Sequence, residues 1–276
     1  MSELRDVLQK HGFRFKKQFG QNFISDGNLL SSIVSASGVT KDTTVVEIGC
    51  GAGTLTRALA EAAKKVYAFD IDTELQPVLA ETLAGLENVE VIFRDFNKIN
   101  LKEFEEEVDE YLVVANLPYY ITSPVIMRLL ETDGLFESVT VMIQKEVADR
   151  LVAAPATAEY GAITASCAYW ADIEKVFNVS PANFIPPPKV TSSVIRMNIY
   201  KEPSVACENR ENLFRVIRGA FAKRRKTLSN SLSGETNKHT KAEIETILVS
   251  LGYRADVRGE TLGLADFAKI SDALEL

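Results

Sequence analysis

The stretch Thr44-Val-Val-Glu-Ile-Gly-Cys-Gly-Ala-Gly53 gives the clearest indication of how this 276-residue chain folds. Its first half is short, mainly apolar and β-branched, which is typical of a strand buried on both faces of a sheet. Its second half carries three glycines, which allow backbone N–H groups to approach a ligand at the start of the next helix. We therefore predict a strand, a ligand-binding loop and a helix in this order.

Strands and helices alternate on both sides of this stretch. Asp26 and Gly38 are placed to cap the two ends of a helix that precedes it. The alternation predicts an α/β fold with a mostly parallel sheet, whose ligands bind outside the carboxyl ends of the strands. The predicted strands are residues 44–48, 66–71, 89–93, 112–115 and 139–143, and the predicted helices are residues 54–63, 74–84, 123–130 and 146–153.

The pattern changes after residue 154, and from Asn209 onward it indicates helices alone. Between these points we predict a helix at 163–170 and strands at 173–179 and 190–200, separated by three consecutive prolines that form a stiff connector. We expect two domains. They are an α/β domain over residues 1–202, which begins with a basic arm at 1–25, and a small all-helical domain over residues 203–276.

Composition excludes several classes of protein. The chain is 46% apolar and 25% charged, as in ordinary globular proteins, and no apolar stretch approaches the length of a membrane span. Three widely spaced cysteines, Cys50, Cys167 and Cys207, are typical of a reducing cytoplasm rather than of disulfides or a zinc site. With only His11 and His239, a His-based triad or metal cluster is not expected. The chemistry must therefore use carboxylates, amides, backbone groups and an organic cofactor.

Acidic residues follow the second and third predicted strands. The glycine loop departs from the dinucleotide pattern because Gly53 comes one residue early, which favours S-adenosylmethionine over NAD. Asp70 is placed to accept ribose hydroxyls, and Asp72 is a competitor for this role that can instead cap the next helix. Asp95 is placed to accept the adenine amino group of the cofactor, or else serves as a turn carboxylate.

The segment Asn116-Leu117-Pro118-Tyr119 directly follows the fourth predicted strand. It combines an amide oxygen, a backbone carbonyl and a flat ring at one point, which suits the exocyclic amino group of a planar base. Acceptors at Asn116 and Leu117 would localise the amine lone pair, and Tyr119 would stack on an extruded base. The alternative is a simple proline turn. We interpret the segment as the amine-binding corner of a methyltransferase that acts on a nucleobase nitrogen.

Basic residues cluster in the C-terminal part, although the net charge is −7. Residues 212–232 contain six basic side chains and no acid, which predicts a phosphate-contact strip rather than an ordinary solvated face. The six are Arg215, Arg218, Lys223, Arg224, Arg225 and Lys226. The N-terminal arm adds Arg5, Lys10, Arg14, Lys16 and Lys17.

Five segments in the same order resemble the ribosomal RNA small subunit adenine N6,N6-dimethyltransferase family. The resemblance runs from about residue 10 to the end of the chain. The segments are Lys17-Gln-Phe-Gly-Gln-Asn-Phe23, Glu47-Ile-Gly-Cys-Gly51, Asn116-Leu-Pro-Tyr119, Phe184-Ile-Pro-Pro-Pro-Lys-Val190 and Arg224-Arg-Lys-Thr-Leu-Ser-Asn230.

The resemblance implies a seven-stranded Rossmann-like methyltransferase sheet with a small all-helical C-terminal domain. It implies dimethylation of N6 on two adjacent adenosines near the 3′ end of small-subunit ribosomal RNA, and a role in small-subunit biogenesis. A cytoplasmic monomer that acts on the 30S pre-subunit, with no membrane attachment and no metal, is expected. The implied cofactor residues are Asn22, Ile24, Gly49, Gly51, Asp70, Asp95 and Asn116, and the implied RNA contacts are Tyr119, Phe184, Arg224, Arg225 and Lys226.

Three positions depart from the family pattern. Asp70 stands where many relatives carry Glu, Phe96 stands where a small residue is usual, and Tyr120 stands where Asn is usual. Three alternatives remain at this stage. They are a large-subunit adenine methyltransferase of the antibiotic-resistance type, a non-catalytic ribosome-assembly factor on the same fold, and an NAD oxidoreductase.

Overall fold

The computed structural model describes residues 2–16, 19–101, 111–132, 135–223, 225–235 and 238–276. The chain divides into two compact units. The first comprises Met1–Ala148 and Ile173–Ile199, and the second comprises Asp149–Asp172 and Tyr200–Leu276. The predicted division at residue 202 lies close to Tyr200, where the chain enters the second unit for the last time. Residues 149–172, which the prediction gave to the first domain, group with the C-terminal residues instead.

The first unit is built on a seven-stranded sheet, as predicted. The strands are β2 (Thr44–Ile48), β3 (Lys65–Asp70), β4 (Val89–Phe93), β5 (Tyr111–Asn116), β6 (Phe136–Gln144), β7 (Ala171–Val179) and β9 (Ser192–Ile199). Their order in the sheet is β4-β3-β2-β5-β6-β9-β7, in which the five strands from β2 to β6 run parallel to one another and β9 is antiparallel to β6. All five residues of β2 are buried, as expected for a strand with helices on both faces.

Helices join these strands close to their predicted positions. The first confirms both predicted caps, because Asp26 accepts the Leu29 N–H at 2.8 Å and Gly38 closes the helix in the left-handed region at φ 73°. The predicted helix at 74–84 is instead a 3₁₀ turn, Thr73–Leu75, followed by a short α-helix. The helices are α2 (Gly27–Ser37), α3 (Thr54–Ala62), α4 (Gln76–Thr82), α5 (Thr122–Leu130) and α6 (Lys145–Leu151).

The N-terminal arm contains structure that the sequence pattern did not predict. A helix, α1 (Ser2–Lys10), buries Leu4 and Leu8. A two-residue strand, β1 (Phe23–Ile24), pairs antiparallel with β8 (Phe184–Ile185), which is the start of the predicted proline connector. These contacts tie the arm to the first unit.

The second unit is helical. Helix α7 (Ala162–Trp170) packs against α8 (Arg210–Ala222) and α11 (Leu264–Ala273), which explains why residues 149–172 group with it. Helices α9 (Leu228–Leu232) and α10 (Lys241–Ser250) complete the unit. Buried Asn212 connects the start of α8 to the last residues of the chain. Its side-chain nitrogen donates to the carbonyls of Ser271 and Leu274 at 2.7 and 2.8 Å, and its side-chain oxygen accepts the Leu276 N–H at 2.9 Å. Within the described ranges, none of the helices has both the length and the apolar character needed to cross a bilayer.

Candidate active site

The strand register brings the predicted site residues to one edge of the sheet. Ile48 pairs with Phe69 on one side and with Ala115 on the other. The residues that follow these three therefore emerge side by side at the carboxyl ends of the central strands. They surround a cavity of about 220 Å³, whose lining includes Asn22, Ile24, Gly49, Gly51, Asp70, Asp95, Asn116, Leu117, Pro118 and Tyr119.

The glycine loop is folded against the end of β3. The N–H groups of Gly49 and Cys50 donate to the Phe69 carbonyl at 2.8 and 3.0 Å. Gly51 has φ 54°, and a Cβ atom there would lie 2.7 Å from the ring of Phe23. Glycine is therefore required at this position for two reasons: the left-handed backbone and the close approach of an aromatic ring.

The structure separates the two candidate acids at the end of β3. Asp70 lines the cavity, and its carboxylate oxygens accept the N–H groups of Gly51 and Asp72 at 2.8 and 2.9 Å. Burial raises the pKa of Asp70, and these hydrogen bonds oppose that rise. Asp72 is only 3% exposed and is held by Lys16 Nζ at 2.6 Å and Gln21 Nε2 at 2.8 Å. Asp70 therefore lies at the cavity, whereas Asp72 anchors the N-terminal arm.

Asp95 is a turn carboxylate that also lines the cavity. Its Oδ1 accepts the Asn97 N–H at 3.0 Å and so caps a 3₁₀ turn, while the residue also lines the cavity. Ile24 is buried, and its carbonyl accepts the Thr54 hydroxyl at 2.9 Å. Ile24 therefore fixes the arm to the start of α3 beside the glycine loop.

The amide of Asn116 has a defined orientation. Its Nδ2 donates to the Asn22 carbonyl at 2.9 Å. Since a carbonyl only accepts, this bond assigns the amide nitrogen and leaves Oδ1 as an acceptor with no hydrogen-bond partner among the described residues. The Leu117 side chain is buried and its N–H donates to the Met142 carbonyl at 3.2 Å, which holds the backbone of the corner in place.

The two predicted aromatic contacts differ in their positions. Tyr119 is half-buried at the cavity, and its hydroxyl lies 2.8 Å from the buried Ser192 Oγ. Burial raises the Tyr119 pKa, so the hydroxyl stays neutral at physiological pH. Phe184 is only 3% exposed and is absent from the cavity lining. The pairing of β8 with β1 directs Phe184 into the hydrophobic core, so the structure does not bring it to the predicted position beside the base.

Two residues at the cavity were not assigned roles from the sequence. Glu47 on β2 is 1% exposed, its Oε2 has no hydrogen-bond partner in the described chain, and burial raises its pKa to about 8. The sequence feature that could have identified Glu47 is a charged residue inside a strand predicted to be buried on both faces. Tyr120 also lines the cavity, and 59% of its surface is exposed. The sequence feature that could have identified it is a second aromatic residue directly after the Asn-x-Pro-aromatic segment.

The basic residues fall into two groups. In the second unit, Arg215, Arg218, Lys223, Arg225 and Lys226 are exposed, and none forms an ion pair with a described residue; these five are the basic strip. Arg224 lies outside the described residues, as does Lys17 of the arm. Two other basic residues of the arm are engaged within the chain, because Lys10 pairs with Glu81 at 2.7 Å and Lys16 pairs with Asp72.

The strand order, the glycine loop and the acids at the end of β3 and after β4 together define a Rossmann-like methyltransferase fold. Within this class the chain belongs to the ribosomal RNA adenine dimethylase family, whose sequence profile matches residues 12–268. The family suggested by the five motifs is therefore confirmed.

Relatives and solved structures agree with this assignment. A protein of Geobacillus thermodenitrificans, named ribosomal RNA small subunit methyltransferase A, is 46% identical over 98% of this chain and 94% of its own length. A protein of the same name from Streptococcus thermophilus is 43% identical over 99% and 96%. A dimethyladenosine transferase from Plasmodium falciparum superposes with a TM-score of 0.76 at 28% identity, covering 90% of this chain and 95% of that one. The 23S rRNA methyltransferase ErmE gives a TM-score of 0.70 at 26% identity, covering 92% and 99%.

Proposed function

We propose that this protein transfers methyl groups from S-adenosylmethionine to N6 of two adjacent adenosines near the 3′ end of small-subunit ribosomal RNA, as part of small-subunit biogenesis. The relatives that are 43–46% identical across nearly the whole chain carry the name of a small-subunit ribosomal RNA methyltransferase. The observation that carries the chemistry is the orientation of Asn116, whose nitrogen is bonded to Asn22 while its amide oxygen has no partner in the part of the chain that the structure describes.

The corner after β5 suits an aromatic amine. The Asn116 Oδ1 and the Leu117 carbonyl can each accept one N6–H bond, which turns the nitrogen lone pair away from the ring system and towards a methyl donor. Tyr119 can stack on the extruded base, and its ring position is fixed through Ser192. Catalysis then depends on positioning and on polarising the amine, with no covalent enzyme intermediate.

The cavity fits the methyl donor. S-adenosylmethionine supplies a methyl group on a cationic sulfur, and it also offers ribose hydroxyls, an adenine amino group and an ammonium group as hydrogen-bond donors. Three acidic residues, Glu47, Asp70 and Asp95, are among those that line the cavity, and carboxyl groups match these donors. Asn22, Ile24, Gly49 and Gly51 complete the pocket on the side of the arm and the glycine loop.

The basic strip supplies the second part of the proposal. Five exposed cations that form no ion pair with a described residue create a local positive potential on the second unit, despite the net charge of −7. Such a surface binds phosphates irrespective of total charge. We assign it to ribosomal RNA of a 30S precursor, and we propose that the protein acts there in the cytoplasm as a monomer.

Replacement of Asn116 tests the chemistry. Asn116→Ala is expected to lower turnover by about 100-fold or more, since removal of one preorganised polar contact to the reacting group typically costs this much. Cofactor affinity, measured by calorimetry, and the thermal midpoint are expected to change far less. Asn28→Ala, at an exposed position of α2, is the matched control and should behave as wild type. Near-normal turnover of Asn116→Ala would remove Asn116 from its role.

Neutralisation of the basic strip tests the RNA contact. Arg218→Gln with Arg225→Gln is expected to weaken RNA binding and to reduce the slope of log K against log[salt] by about 0.7–0.9 for each phosphate that the variant no longer neutralises. Lys64→Gln is the control, because Lys64 is exposed next to the start of β3, at the end of the strand away from the cavity. If the strip variant and the control gave the same slope as wild type, the strip would have no role in phosphate binding.

A further inference from the structure

Tyr120 has the largest exposed fraction, 59%, of any large hydrophobic side chain in the described chain. It also lines the cavity. Large exposed aromatic rings at the mouth of a cavity are typical of binding surfaces, because they leave apolar area in contact with water. The exposed ring is therefore accessible to a ligand.

The backbone on both sides of Tyr120 is fixed. Tyr119 is anchored through its hydroxyl to Ser192, and the Ile121 N–H donates to the Pro118 carbonyl at 3.1 Å. Ile121 directly precedes α5, whose first residue Thr122 is buried. Tyr120 therefore presents its ring from a well-anchored turn, which lowers the entropy cost of binding a flat partner.

Other aromatic rings of the cavity lining are already engaged. The Phe19 ring lies 5.5 Å from the Lys16 ammonium group. Phe69 and Phe96 pack edge to face, with ring centroids 5.6 Å apart, and both are buried. Tyr120 has no hydrogen-bond partner in the described chain, and its ring lies beside the backbone of Gly20, where a Cβ atom would be 3.8 Å away.

We infer that Tyr120 is a second base-stacking surface, which holds the nucleotide next to the adenosine that enters the cavity. This inference rests on the proposed function. When one adenosine is extruded, its neighbour loses a stacking partner, and a flat ring at the cavity mouth can replace it. The half-buried Tyr119 contacts the base inside the cavity, and the exposed Tyr120 contacts the one that remains outside.

Methylation of under-methylated small ribosomal subunits tests the inference. Tyr120→Ala is expected to raise KM for the subunit by about tenfold, because stacking on one base has this order of strength, with kcat within about twofold of wild type. Tyr120→Phe should retain the wild-type KM, whereas Tyr120→Leu, which is apolar but not flat, should resemble Tyr120→Ala. A wild-type KM in Tyr120→Ala, or full rescue by Tyr120→Leu, would overturn the inference.

A double-mutant cycle separates stacking from a structural effect. The second change is made in a ribosomal RNA fragment, in which an abasic site replaces the nucleotide next to the target adenosine. The affinity of the protein for this fragment is measured in the presence of the demethylated cofactor. The abasic site is expected to weaken binding to wild type and to have little further effect on Tyr120→Ala. If Tyr120→Ala and the abasic site each lowered the affinity by the same factor whether or not the other change was present, Tyr120 would not contact this base directly. If wild type failed to methylate small subunits at all, the proposed function would be refuted; normal wild-type methylation with no effect of Tyr120→Ala would refute this inference alone.

Discussion

Glu47→Gln is expected to stabilise the protein in a strongly pH-dependent way. Glu47 lies in the central strand β2 with 1% of its surface exposed, and burial raises its pKa from 4.5 to about 8. Below pH 4.5 both the folded and the unfolded chain hold the proton, so there is no penalty. As the pH rises towards 8, the unfolded chain releases the proton while the folded chain retains it, and folding becomes less favourable. Gln is nearly isosteric with protonated Glu and does not ionise.

The size of the effect follows from the difference between the two pKa values. The difference of about 3.5 units, 8 minus 4.5, corresponds to a destabilisation of about 5 kcal/mol above pH 8 at about 1.4 kcal/mol per unit. Urea unfolding followed by circular dichroism at pH 6, 7 and 8 should show the stability of Glu47→Gln rising relative to wild type by about 1–1.4 kcal/mol per pH unit. Any fixed cost of burying the amide is the same at each pH.

Glu87→Gln removes an exposed carboxylate and controls for the general effect of charge. The free energy of unfolding of Glu87→Gln should change with pH in the same way as that of wild type. If the free energy of unfolding of Glu47→Gln also followed that of wild type from pH 6 to 8, the reasoning would be refuted, because Glu47 would then be ionised in the folded protein at all three pH values. We also expect Glu47→Gln to bind S-adenosylmethionine more weakly, since it replaces an acidic residue of the cavity lining. Stability would therefore be gained and function lost.

Three further predictions concern the cavity and the second unit. Asp70→Ala is expected to weaken cofactor binding, measured by calorimetry, by about tenfold or more, whereas Asp72→Asn should have a smaller effect because Asp72 acts through the N-terminal arm; equal losses would remove the distinction. Tyr119→Phe should lower stability by about 0.5–1.5 kcal/mol through loss of the bond to Ser192 while methyl transfer persists, whereas Tyr119→Ala should raise KM for RNA by about tenfold; loss of activity in Tyr119→Phe would instead give the hydroxyl a direct role. Asn212→Ala should cost about 2–4 kcal/mol, because it leaves three buried backbone groups without partners; a thermal midpoint equal to that of wild type would contradict this.

Periodicity and caps were sufficient to predict the sheet. Strand β2 was predicted at its observed bounds, because a short β-branched run followed by a glycine loop has few alternative structures. The helix between Asp26 and Gly38 was predicted at both ends, because each cap has its own residue preference. The position of the site then follows from the rule that ligands of such sheets bind outside the carboxyl ends of the strands.

Short strands and long-range packing could not be predicted in this way. The two-residue strands β1 and β8 have no periodicity of their own, and they form only when distant segments meet. Their pairing is also the reason that Phe184 lies in the core, although its motif was correctly assigned to the family. Sequence patterns identified the residue but not the direction of its side chain.

The choice between acids at the end of β3 shows the same limit. Asp70 and Asp72 are two positions apart and have the same side chain. Contacts of Asp72 with Lys16 and Gln21, more than 50 positions away in the chain, distinguish them. Local sequence contains no information about these partners, whereas the folded arm brings them to Asp72.

Substrate choice is the central claim that the fold alone does not decide. The superposition on ErmE, a 23S rRNA methyltransferase, is nearly as good as that on the dimethyladenosine transferase, with TM-scores of 0.70 and 0.76. The assignment to the small subunit therefore depends on the relatives that are 43–46% identical.

Methylation of separately purified small and large ribosomal subunits, followed by nuclease mapping and mass spectrometry of the nucleosides, tests this claim most directly. We predict N6,N6-dimethyladenosine at two adjacent positions near the 3′ end of the small-subunit RNA, formed at a rate about 100-fold or more lower with Asn116→Ala. Methylation of the large subunit instead, or of a ring nitrogen rather than N6, would contradict the account.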